Sequence, residues 1–263
     1  MMSRPSILLQ SNRLYLILVS IIILILIIII INISLLGSLG NIALISYRIY
    51  KRPNNISLRI QRGEKLHALA IEFSSNGISN NIPDLMERKV IDDLNIVIDN
   101  NRNDYKSHYI RACARGNVGN YQGAIDDFTS CFKLNSKYFP CLMGRAAYYK
   151  KVGQSDKSIE DYSYLINNYS AKPINNIDII CIFYYNRASS YLIKDQYINT
   201  IDDINVIFDN YNSNCPIALN QLLVTKGIAL YKMNEEEKGI QHIVISCKLG
   251  NIHACEIIHN KFK

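Results

Sequence analysis

One short phrase recurs along this chain and limits what it can fold into. It reads Gly-Asn-Tyr-Gln-Gly-Ala-Ile-Asp-Asp-Phe at 119–128, and returns in altered form at 152–162, at 194–204 and, as a fragment, at 89–94. Aligning the small side chain that opens each phrase gives Val90, Ala124, Ser158, Thr200 and Gly239, at intervals of 34, 34, 42 and 39 residues. An isoleucine follows each one. Four residues beyond the small one stand Leu94, Phe128, Tyr162, Ile204 and Ile243, a spacing that puts the apolar set on one face of a helix.

A second column precedes the first. Twelve residues before the small one lie Ala112, Ala146, Ala188 and Gly227, and nine before it lie Arg115, Tyr149, Tyr191 and Leu230. Each unit therefore reads as two helices joined by a short polar turn, with small residues where helix axes approach closely. The period and this small-and-aromatic pattern resemble the tetratricopeptide repeat. The resemblance rests on Ala146 with Tyr149, Ala188 with Tyr191, and Ala124 with Phe128, and it covers about 105–260. It departs where Arg115 replaces the usual tyrosine and where inserts lengthen the later units. It implies an all-α solenoid of helix-turn-helix repeats over 105–263, closed by a C-terminal capping helix, with a degenerate capping repeat over 57–104.

The N-terminus carries a different signal. From Leu14 to Ile31 the most polar residue is Ser20, and the apolar run resumes through Leu36. About 23 residues of helix span roughly 35 Å, enough for a hydrocarbon core of roughly 30 Å. Residues 14–36 are thus expected to form a transmembrane helix between an N-terminal flank at 1–13 and a basic linker at 37–56. A cleaved secretory signal is the competing reading, with Ser38-Leu39-Gly40 offering small residues, but its apolar region would be shorter. The heavier positive flank follows the span, which favours a single-pass protein with a cytoplasmic repeat domain.

Residues 1–65 hold eight of the 29 lysines and arginines and one of the 22 acids, so the whole formal charge of +7 resides there. The remainder is neutral, and nucleic acid is not an expected partner, since its binding needs clustered cations. Seven cysteines without C-x-x-C pairing read as buried thiols in a reducing compartment. A C-terminal set of His242, Cys247, His253, Cys255 and His259 lacks the spacing of a structural zinc site. Phosphate-loop, dinucleotide and hydrolase motifs are absent, so no catalysis, metal, cofactor or small-molecule substrate is expected.

Two charged columns accompany the repeat: Arg111, Arg145, Arg187 and Lys226, with Asp93, Asp127, Asp161 and Asp203 on the second helices. Their joint recurrence favours pairing within the stack over capture of acidic peptides. Of the Lys-Asn-Arg clamp used by tetratricopeptide chaperone-tail receptors, only Asn186 has a counterpart here. Joined to the expected anchor, the resemblance implies a membrane-anchored scaffold that captures a peptide or helix of a protein partner on its concave face. Groove candidates are Tyr109, Tyr148, Tyr184, Tyr185 and Asn186, the tyrosines being equally suited to packing between helices. The alternative is a secreted or periplasmic tetratricopeptide or Sel1-like repeat protein.

Overall fold

The computed structural model describes residues 37–77, 81–169, 179–211 and 215–261. The expected membrane helix at 14–36 lies outside them, and no described helix is long and apolar enough to cross a membrane. The described residues form α-helices and turns, without strands. In chain order these are α1 (37–51), α2 (Ile56–Ser75), α3 (Ile82–Asn100), α4 (Tyr105–Asn117), α5 (Tyr121–Leu134) and α6 (Phe139–Lys151), followed by α7 (Ser155–Tyr169), α8 (Ile179–Ile193), α9 (Tyr197–Asn210), α10 (Leu219–Lys232), α11 (Glu236–Lys248) and α12 (Ile252–Lys261). Two compact units divide the chain between Val97 and Ile98.

In the first unit α1 is helical where the sequence suggested a linker. Ile45 and Ile49 are its buried side, and the Ser46 hydroxyl accepts from Arg62 of α2 at 3.1 Å. Arg62 also forks onto Asp93 of α3, with both contacts at 2.7 Å, and Arg59 adds a third at 3.0 Å.

The second unit is a row of hairpins, α4–α5, α6–α7, α8–α9 and α10–α11, closed by α12. Each helix packs on the next in sequence. The first helices also touch one another, α4 on α6, α6 on α8 and α8 on α10, while among the described residues the second helices make no comparable contact. The row must therefore bend toward its first helices, which form the inner layer.

The repeated small residues explain how the helices nest. Ala112, Ala124, Ala146, Ser158, Ala188 and Thr200 are all completely buried at helix crossings, with Phe128, Tyr162 and Ile204 filling the spaces beside them. One turn closes all four hairpins and joins α11 to α12. Gly119, Gly153, Asp195, Asn234 and Gly250 have positive φ between 58° and 88°, and the amide after each reaches back five residues to a helix carbonyl. This is the Schellman arrangement, which needs a left-handed residue and so selects Gly, Asn or Asp.

The charged columns pair inside each hairpin. Nε and Nη2 of Arg111, Arg145 and Arg187 donate to both oxygens of Asp127, Asp161 and Asp203 at 2.6–2.9 Å. Burial alone would raise the Asp127 carboxyl, but His108, Arg111 and Arg115 together hold it below its usual range. At Asp161 and Asp203 burial outweighs a single arginine, and both carboxyls sit above theirs.

The cysteines correct the expectation of unpaired thiols. Disulfides join Cys131 to Cys141, Cys181 to Cys215 and Cys247 to Cys255, leaving Cys113 free. All three link one hairpin to the element that follows it. Sequence spacing concealed this, because packing decides which cysteines meet whatever the number of residues between them.

Candidate functional site

The inner layer is the surface on which a partner could lie, and the five candidate residues occupy it differently. Tyr109 meets Phe128 and Tyr138 edge-on at 5.8 and 5.3 Å, and burial pushes its phenol well above the ordinary value. It is a packing residue first. Tyr148 stacks beside Tyr121 and Phe128 at 5.7 and 5.9 Å and covers Gly116 so closely that no β-carbon would fit there. Tyr184 leans on Tyr211, with the Arg187 guanidinium 5.3 Å from its ring. Tyr185 is half-buried at the margin of the cluster formed by Cys181, Ala188, Ile204 and Ile207.

Asn186 bridges two units. Its Nδ2 donates to the Ile182 carbonyl at 2.9 Å, and its Oδ1 accepts from Lys150 Nζ on α6 at 3.3 Å. Lys150 was not among the sequence candidates. Burial pushes its ammonium below the ordinary lysine value, and among the described residues no carboxylate lies within ion-pair distance of it. The neighbouring cations are compensated: Arg111, Arg145 and Arg187 by aspartates, and exposed Lys151 by the rings of Tyr121 and Tyr148 at 5.2 and 5.3 Å. A partly desolvated ammonium held by one neutral amide has given up hydration that a carboxylate would restore.

The only sequence signal for this site was the Lys150-Lys151 pair ending a first helix, and it carried no hint of which lysine turns inward. The C-terminal histidines and cysteines do not converge on a metal. Cys247 and Cys255 are bonded to each other, His242 donates to the Lys238 carbonyl, and His253 stands 3.7 Å from Glu256. Among the described residues no group of three or more metal-ligating side chains assembles.

These helical hairpins, nested through small residues and curved toward their first helices, define an α-solenoid of the tetratricopeptide type. Comparison with solved structures agrees. The chain resembles MamA 41-end from Desulfovibrio magneticus RS-1 with a TM-score of 0.55, at 15% identity over 71% of this chain and 94% of that one. It also resembles YrrB, described as a TPR protein with an unusual peptide-binding site, with a TM-score of 0.56 at 8% identity over 82% and 97% of the two chains. A third similar structure is BtubC from P. vanneervenii, with a TM-score of 0.57 at 9% identity over 81% and 87%. At these identities the likeness establishes the fold. No protein-family model matches the sequence, and no curated protein does so.

Proposed function

We propose that this protein is a membrane-anchored interaction scaffold that captures an acidic peptide or helix along the inner layer of its repeats. The observation that carries this reading is Lys150, a half-buried cation whose ammonium donates to Asn186 of the next unit. A ligand carboxylate seated there would meet both side chains, and Tyr185 offers an apolar body with a polar tip nearby. A peptide-binding site in YrrB supports the same use of the fold.

The anchor is residues 14–36, whose sequence suits a bilayer span. Its retention is supported by its length, which exceeds the apolar region of a cleaved secretory signal. Three disulfides support a repeat domain facing an oxidising compartment, the orientation opposite to the one favoured by the flanking charges. The flank bias is a margin of a few cations. Disulfides persist where thiols stay oxidised.

Panning a random peptide library on the purified full chain tests the capture. Enrichment of peptides with Asp or Glu beside an aromatic or aliphatic residue is expected, with affinity about tenfold weaker for Lys150→Glu, equivalent to about 1.4 kcal/mol. Basic peptides, or equal binding by Lys150→Glu, would contradict it.

A further inference from the structure

The geometry points to the outward face of α1 as a second membrane contact, one that lies along the phospholipid headgroup layer. This rests on the anchored reading above. At 100° per residue, Ile45 and Ile49 share one side of α1 and are 4% and 6% exposed. The opposite side carries Leu39, Ala43, Leu44, Tyr47, Tyr50 and Lys51. Its large apolar members are open, with Leu44 at 47%, Tyr47 at 58% and Tyr50 at 79% exposure. A solvated helix face would carry polar side chains there, and a contiguous apolar patch marks an interaction surface.

Three observations select a bilayer surface as the occupant. The apolar run 14–36 ends immediately before α1, so an anchored chain holds this helix at the membrane boundary. Tyrosine is the residue type that settles at headgroup level, its ring apolar and its hydroxyl wet. Cations border the same face: Lys51 Nζ lies 5.7 Å from the Tyr47 ring and 6.0 Å from that of Tyr50, and exposed Arg48 stands at its flank. Aromatic side chains facing outward with basic neighbours match the chemistry of an interfacial helix contacting lipid phosphates.

The chain has no tryptophan, so single substitutions give clean reporters. The full chain carrying Tyr50→Trp, or Tyr164→Trp on α7 as a comparison, is reconstituted in vesicles of phosphatidylcholine alone or mixed with phosphatidylglycerol. Each set includes lipids brominated near the headgroup, and circular dichroism confirms unchanged helicity. The expected result is that the indole at position 50 is blue-shifted and loses much of its emission to the bromines, while the indole at position 164 keeps its own. Quenching in both lipid mixtures, or only in the anionic one, supports the contact, and a salt-sensitive difference between mixtures assigns a share to the cations. Failure of the chain to float with vesicles removes the anchor and this contact together. Flotation with the position-50 indole unquenched overturns the contact alone. A blue-shifted but unquenched indole at that position also overturns it, since a second copy of the chain would then cover the face.

Discussion

Alanine at position 239 is expected to cost about 3 kcal/mol of stability and to loosen the last hairpin, because the added methyl would strike backbone, which cannot swing aside. A β-carbon on Gly239 would lie 2.7 Å from the Tyr231 nitrogen and 2.8 Å from the Gly227 carbonyl oxygen. Helices α10 and α11 cross where two glycines face each other, and both must separate to admit it. Two other positions calibrate the effect. At Gly116 the obstruction is the Tyr148 phenol, a side chain that can rotate away at the expense of its ring stacking, so a smaller loss follows. At Gly63 the nearest atom stands 3.6 Å away on Leu94, and alanine there should be neutral or stabilising through helix propensity alone. Denaturant unfolding of the three variants, with hydrogen exchange to localise the damage, checks the order. Equal effects at 63 and 239 would mean that the small-residue column does not set the helix spacing.

The second large effect concerns the disulfides. Each bond restricts the unfolded chain according to the loop it closes, and Cys181–Cys215 closes the longest, with a separation of 34 residues against 10 and 8 for the others. On the chain-entropy estimate this bridge contributes about 4 kcal/mol and each of the shorter ones about 2.5 kcal/mol. Replacing Cys181 and Cys215 together by serine should therefore lower the melting temperature more than either other double replacement, and reductant should remove the differences. Alkylation before reduction should label Cys113 alone, against seven cysteines afterwards. Seven labelled thiols in the chain taken directly from its cell would place the repeats in a reducing compartment and restore the orientation that the flanking charges favour.

Much of the fold was legible because the repeat registers packing constraints directly. Ala124, Ser158 and Thr200 align in sequence and are equally buried in the array, since a helix crossing tolerates only small side chains whatever the length of the loops between. The arginine and aspartate columns were legible as pairs for the same reason. Departures hid the rest. Arg115, which looked like a lost tyrosine, donates to Asp127 at 2.8 Å, so the substitution trades aromatic packing for a third partner on that carboxylate. Asp93 has no cation 16 residues before it because the turn after α2 displaces the register, and Arg62, 31 residues earlier, supplies one.

The inner layer was harder to read. Helical spacing places Tyr109, Tyr148 and Tyr184 on first helices, but the contacts to Phe128, Tyr121 and Tyr211 depend on the adjoining hairpins. Lys150 acquires its character only from burial against α8, which no single unit contains. Cysteine pairing was concealed likewise, because it follows adjacency between units rather than spacing along the chain.

A partner is expected to lie on the first helices and not on the second. A photo-reactive phenylalanine derivative placed at Tyr185, on the inner layer, and separately at exposed Tyr164 on α7 tests this in the native cell. A covalent adduct with one polypeptide is expected from position 185, none from 164, and the adduct is expected to be lost when Lys150→Glu is added. An adduct from 164 with position 185 silent would contradict it, placing the partner on the outer helices.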